Sequence, residues 1–186
     1  MSMSNVEIDQ IRPTSRSEYY RMFEAGIFDG ERVELLRGLV VTMSPHSNTH
    51  ANTVVRLTEL LIMALHGRAE VRPQVPLAAS NYSEPEPDLA VTRRRDPHAE
   101  HPTTAFLVIE VSLTSLRKDI QVKTSIYAEA GVEAYWIVDL KNDRVLVYAD
   151  PVDGLYTSEF EAIHGDSLVV PGFQDVVLTV HQILPR

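Results

Sequence analysis

Cysteine is absent from the 186 residues, which excludes disulfides and thiolate metal sites and fits a reducing compartment such as the cytoplasm. No apolar run approaches the roughly 18 residues of a membrane span, and no basic start leads into an apolar core of signal length. A protein without a membrane partner is therefore expected. Basic residues are scarce as well: 17 Lys and Arg stand against 26 Asp and Glu, for a net charge of -9. That deficit opposes a strong sequence-independent grip on nucleic acid, because phosphate neutralisation needs local cations. Internal repeats, low-complexity tracts, helix-turn-helix or zinc modules and an aromatic stacking platform are all missing.

The 44% of hydrophobic residues suffice for one domain with a well-buried core, so a single domain over residues 1–186 is expected, with residues 1–12 as a flexible start. The segment Ala105-Phe-Leu-Val-Ile-Glu-Val-Ser-Leu113 is an almost unbroken apolar run of strand length, rich in β-branched residues, with Glu110 at its middle. Phe106, Val108, Glu110 and Ser112 share one face, and Leu107, Ile109, Val111 and Leu113 the other. Both faces are mainly apolar, as in a central strand covered on each side. An ionised carboxylate buried there without a partner costs several kcal/mol or more, so Glu110 needs a cation, a hydrogen-bond network or a wet cleft. Upstream, Glu84-Pro-Glu-Pro-Asp-Leu-Ala-Val91 sets Asp88 at the entry of another apolar run, behind a stiff, proline-held linker. If the two runs are neighbouring strands, both carboxylates converge.

Downstream, Asp119 to Gly131 reads as a helix closed by glycine. Ile120, Lys123, Tyr127 and Ala130 follow helical spacing, which sets Lys123 on or beside the inward stripe. Paired carboxylates suit a hard divalent ion, and a lysine beside them can steady an oxyanion or orient a water.

At these residues the chain resembles the PD-(D/E)XK nuclease superfamily: Pro87-Asp88, then Glu110 within Ile-Glu-Val, then a lysine displaced onto the following helix. The block from Glu110 to Lys123, with Tyr127-Ala-Glu-Ala-Gly-Val-Glu-Ala-Tyr-Trp-Ile-Val-Asp139, is similar to the restriction-endonuclease group called Uma-two. The likeness extends through Val33 to Pro45, His50 and Pro171-Gly-Phe173. It implies an α/β fold with a restriction endonuclease-like core, a central mixed sheet flanked by helices, preceded by a helix and a β-hairpin. It also implies Mg²⁺ or Mn²⁺ held by Asp88, Glu110 and the main-chain carbonyl of Val111, and Lys123 as the catalytic lysine. Glu34 would join the acidic cluster, and His50 would support it from behind. Ser112 occupies the place where many superfamily members carry their lysine, which makes Lys123 the substitute. The implied activity is endonucleolytic hydrolysis of DNA by a homodimer. A catalytically silent DNA-binding or dimerisation module, or a hydrolase of RNA or another phosphoester, fits the same residues.

Other segments carry weaker signals. Ser17 to Gly26 suits a short helix with Ser17 as N-cap, and Arg32 to Met43 a hairpin turning at Arg37-Gly38. A second helix runs from Asn48 or Thr49 to about His66, ended by Gly67, with His50 in its first turn. Ala69 to Ala79 reads as an irregular or edge strand. Arg93, Arg94 and Arg95 are either a solvated turn or a phosphate-binding patch. Arg117 and Lys118 face solvent on the ordinary expectation, with phosphate contact as the alternative. Beyond Glu133 to Leu140, a second central strand, Arg144 to Tyr148 returns antiparallel. Shorter strands are expected at Leu155 to Ile163 and Ser167 to Val170, and a strand or short helix at Val176 to Leu184.

Overall fold

Short β-branched runs alternating with amphipathic stretches produce, in chain order, α1 (Arg16–Glu24), β1 (Val33–Leu36), β2 (Leu39–Thr42), α2 (Asn48–Leu65), β3 (Glu70–Pro73), β4 (Leu89–Thr92) and β5 (Leu107–Ser112). Then come α3 (Leu116–Lys118), a π-helical turn (Asp119–Lys123), α4 (Thr124–Glu129), β6 (Ala134–Asp139), β7 (Arg144–Val152), β8 (Leu155–Ile163), β9 (Ser167–Val170), β10 (Phe173–Thr179) and α5 (Val180–Ile183). The computed structural model describes residues 11–45 and 47–184. Of the expected flexible start, residues 1–10 lie outside the described residues, and Ile11 and Arg12 are exposed.

Six strands form one mixed sheet in the order β3-β4-β5-β6-β7-β8, while β1-β2 and β9-β10 are separate two-stranded units. Within the large sheet, β5 and β6 run parallel and the other neighbours antiparallel. A parallel pair needs a crossover, and α3, the π turn and α4 supply it across one face. Every residue of β5 and β6 is buried. Leu107, Ile109, Val111, Trp136 and Val138 pack with Val54, Leu57, Leu61 and Leu65 of α2. Val108, Tyr135 and Ile137 pack on the opposite side with Leu77, Tyr127 and Val132. Each such fully buried aliphatic side chain contributes roughly 1.5–3 kcal/mol, which is what fixes the two central strands between their covers.

Several boundaries differ from the sequence expectation for local reasons. Ser15, not Ser17, caps α1: its hydroxyl accepts from Glu18 N while the Glu18 carboxylate accepts from Ser15 N at 2.9 Å, a reciprocal capping box. Ser47 caps α2 one residue ahead of the expected Asn48, through a bond from His50 N at 3.2 Å. The helix after β5 starts at Leu116 instead of Asp119 and is interrupted by the π turn. The C-terminal segment is both of the alternatives in succession, strand β10 and then α5.

The β1-β2 hairpin sits where its turn fixes it. Arg37 and Gly38 have φ values of 54° and 78°, the left-handed pair of a two-residue hairpin turn. Gly38 N donates to Tyr82 O at 2.6 Å and Gly38 O accepts from Thr14 N at 2.8 Å. Leu35 and Glu84 pair through their main chains, with Glu84 N donating to Leu35 O at 2.7 Å. The hairpin is thereby pressed against the linker that leads into β4, and Glu34 is carried into the interior with no exposure at all. A Cβ at position 38 would fall 2.4 Å from Pro13 Cβ. Gly38→Ala is therefore expected to lower unfolding stability by roughly 1–3 kcal/mol, from backbone strain and that clash. Urea denaturation measures it, and an unchanged midpoint would contradict this placement of the hairpin.

Candidate active site

The β4-β5 ladder pairs Leu89 with Ile109, and one residue further in the same register Asp88 stands opposite Glu110. Directly opposed residues share a face, with Cβ atoms roughly 4.5–5.5 Å apart, and like charges there repel. The convergence expected from sequence is thus a matter of register. Asp88 Oδ2 accepts from Val111 N at 2.8 Å and lies 3.0 Å from His50 Nε2. Glu110 Oε1 accepts from Lys123 Nζ and from Tyr127 OH, both at 2.8 Å. Among the described residues, the two hydrogen bonds to the Asp88 carboxylate fall on Oδ2 and the two to the Glu110 carboxylate on Oε1. Asp88, Glu110, Val111, His50 and Lys123 line one cleft of about 170 Å³, together with Met43, Ser44, Pro45 and Ser47 and with Leu113, Thr114 and Ser115.

Glu34 joins the buried acidic cluster through Lys123, behind the cleft. It does not line the cleft. Lys118 Nζ donates to its Oε1 at 2.8 Å and Lys123 Nζ lies 3.0 Å from its Oε2, so the carboxylate is taken up by two ammonium groups. Lys118, expected to face solvent, is held inward by this bond with its side chain 30% exposed.

The π turn explains how both lysines reach one acid. In an α-helix of about 3.6 residues per turn, residues five apart diverge by roughly 140°. The wider turn, closed by Thr124 N donating to Asp119 O, brings residues 118 and 123 to the same side. Such turns recur at functional sites.

Two cleft residues had no assigned role from sequence. Asp119 is buried, lines the cleft and accepts from Ser115 Oγ at 2.6 Å. Glu86 lines the cleft half-buried, 3.6 Å from Arg32. Extended spacing in Glu84-Pro-Glu-Pro-Asp88 is the signal for Glu86, since alternate residues share a side. Asp119 reads in sequence only as the start of a helix.

The three arginines after β4 do not join this cleft. Asp88 precedes β4 and Arg93 follows it, so at about 3.4 Å per residue they stand roughly 17 Å apart. Arg93 stacks over Phe106 at 5.3 Å, and Arg94 donates to Gly67 O at 3.0 Å.

Charge dominates the site. Glu34, Asp88, Glu110 and Asp119 are all buried, with Lys123 buried beside them and Lys118 at the rim. Burial, with Asp88, Asp119 and Glu34 nearby, pushes Glu110 up to about 8 in spite of Lys123. Burial likewise raises Asp119 and Glu86. For Glu34 burial works upward too, but Lys123 and Lys118 outweigh it and hold the group below its ordinary value. Asp88 is also lowered: His50 and the Val111 N–H overcome its burial. Lys123 would be lowered by burial alone, yet Glu110, Glu34 and Asp119 carry it above its ordinary value and keep it charged. Among the described residues no three His, Asp or Glu side chains form a ready metal cage. The cleft is lined by four carboxylates, Glu86, Asp88, Glu110 and Asp119, and by Val111.

A family model described as "Uma2: Putative restriction endonuclease" matches residues 16–181. A crystal structure titled as a putative nuclease belonging to DUF820, from Anabaena variabilis ATCC 29413, superposes with a TM-score of 0.72 at 14% identity, covering 92% of this chain and 97% of that one. At that identity the likeness speaks to the fold. No curated protein sequence matches the chain.

The shifted acids make stability depend on pH in a defined direction. Glu110, Asp119 and Glu86 bind protons more tightly in the folded chain, so stability falls as pH rises from the ordinary glutamate value of about 4.5 through about 8. Glu34 and Asp88 have the opposite sign, and their contribution is lost only in acid. The melting temperature of the metal-free protein is therefore expected to fall between about pH 5 and 8.5, and Glu110→Gln to flatten much of that slope. A wild-type melting temperature that rises across this interval would contradict the electrostatics.

Proposed function

Because the chain belongs to the Uma2 family, we propose that it is a metal-dependent endonuclease that hydrolyses phosphodiester bonds in DNA. The observation that carries this reading is the buried pair Asp88 and Glu110, opposed across β4 and β5, with the Lys123 amine 2.8 Å from Glu110.

The residues present fit a hard divalent ion. Four buried carboxylates stand against one buried lysine and one at the rim, and a Mg²⁺ or Mn²⁺ would favour the ionised form of Glu110, whose proton burial otherwise retains. Asp88 Oδ1, Glu110 Oε2 and the Val111 carbonyl are oxygen donors of the kind such ions take. Bound there, the ion would supply Lewis acidity toward a phosphoryl oxygen and lower the pKa of a water.

The chain's own groups then have separable tasks. His50 and the Val111 N–H fix Asp88 from one side, and Tyr127 holds Glu110 from the other. Lys123, kept protonated by its acidic neighbours, serves as a donor. It orients the attacking water and offsets charge on the phosphoryl oxygens rather than removing a proton. Lys118 at the rim, with its partly exposed ammonium, suits a flanking phosphate. Arg93, Arg94 and Arg95, at the far end of β4 from Asp88, are a separate candidate phosphate contact. Cutting both strands calls for two copies about a two-fold axis.

With Mg²⁺ or Mn²⁺ and duplex, single-stranded and RNA substrates, metal-dependent cleavage of DNA is expected. Asp88→Asn, Glu110→Gln and Lys123→Ala should each reduce it by at least about a hundredfold while circular dichroism stays unchanged. Wild-type-like cleavage in all three variants would sink the assignment. Sedimentation equilibrium reads the dimer in the same samples.

A further inference from the structure

The geometry points to Lys123 as an internal counter-ion that stands in for the metal on Glu110 until an ion displaces it, with Glu34 as the seat on which the ammonium then leans while another of its three N–H donors still faces the reacting water. The inference rests on the proposed metal-dependent reading and adds a loading step to it.

Three observations carry it. First, Lys123 Nζ bridges two acids of unlike surroundings, 2.8 Å from Glu110 Oε1 and 3.0 Å from Glu34 Oε2, with its side chain 3% exposed. An ammonium has three donors and no acceptor, so it can hold both oxygens or lean onto one. Secondly, Glu110 borders the cleft whereas Glu34 lies behind it with no exposure. An incoming cation reaches the first acid and not the second. Thirdly, Glu34 is itself held in place: Lys118 binds its other oxygen at 2.8 Å, and the hairpin that carries it is paired to the β4 linker through Leu35 and Glu84. Among the described residues, Lys123 Nζ is the group that meets Glu34 Oε2, at 3.0 Å against its 2.8 Å to Glu110 Oε1. Glu34 Oε2 therefore has capacity for a closer approach by Lys123.

Glu34 is, on this account, a positioning residue that never touches the ion. Its charge favours metal binding indirectly, by making it easier for Lys123 to release Glu110. A direct ligand would act whether or not Lys123 were present, and that difference is measurable.

Calorimetric titration of Mn²⁺ into the full chain tests it, using wild type, Lys123→Met, Glu34→Gln, the double variant and Asp88→Asn. Lys123→Met should bind Mn²⁺ at least about tenfold more tightly, as expected when a unit charge next to the ion is removed from a site of intermediate dielectric. Glu34→Gln should bind about threefold or more weakly, but within about twofold of its parent in the Lys123→Met background, as coupled neighbours require. Equal or weaker binding by Lys123→Met, or an equal loss from Glu34→Gln in both backgrounds, would overturn the inference. Should Lys123→Met fail to fold, Lys123→Arg replaces it. A guanidinium forks across carboxylates and is harder to displace, so Mn²⁺ must bind more weakly there, and unchanged affinity would overturn the inference. Wild-type Mn²⁺ binding that Asp88→Asn leaves untouched would instead defeat the underlying metal reading.

Discussion

Two buried carboxylates facing each other where two central strands meet the cleft are the constraint from which the remaining structure follows. In water such a pair costs little, but between two layers of apolar side chains it is expensive, and like charges directly opposite destabilise a ladder. Asp88 and Glu110 are nevertheless set in register there, where Leu89 and Ile109 pair. The fold answers with cations and donors brought from three elements. His50 comes from the first turn of α2, the Val111 amide from β5, and Lys123 and Tyr127 from the crossover.

The surrounding architecture makes sense as the means of delivering these groups. The single parallel neighbour pair, β5 and β6, forces a helical crossover over one sheet face, and that crossover carries Lys118, Asp119, Lys123 and Tyr127. Its π turn rotates both lysines onto Glu34, which arrives from the opposite direction on the N-terminal hairpin. Docking of that hairpin closes the cluster from behind, and the cleft lies beside Met43, Ser44, Pro45, Ser47, Leu113, Thr114 and Ser115. Breaking a buried pair by removing one partner costs several kcal/mol, so hairpin, crossover and central strands are energetically tied to one another through charge.

Much of this was legible in the sequence because it depends on local pattern. The apolar run around Glu110, the proline-held approach to Asp88 and the helical spacing of Lys123 with Tyr127 each pointed inward on physical grounds. The Arg37-Gly38 turn announced the hairpin, and His50 beside the acids followed from the resemblance. What escaped depends on register or tertiary rotation. Nothing in the sequence marks a π turn, so Lys118 read as solvent-facing. Asp119 looked like a helix start because its burial comes from Ser115 and the sheet beneath it. Glu34 was expected to join the acids and does so, but that two lysines hold its oxygens was not legible. Arg93 to Arg95 lie close to Asp88 in sequence, yet a four-residue strand separates them in space.

The family and the fold establish the context, and the opposed acids, buried among cations and donors, are the feature on which the proposed metal site rests. The most direct measurement is anomalous scattering from crystals soaked in Mn²⁺. The account predicts one strong peak between the Asp88 and Glu110 carboxylates, within bonding reach of the Val111 carbonyl, with the Lys123 amine withdrawn toward Glu34. A Mn²⁺ peak elsewhere, with Lys123 still bridging Glu110 and Glu34, would contradict it.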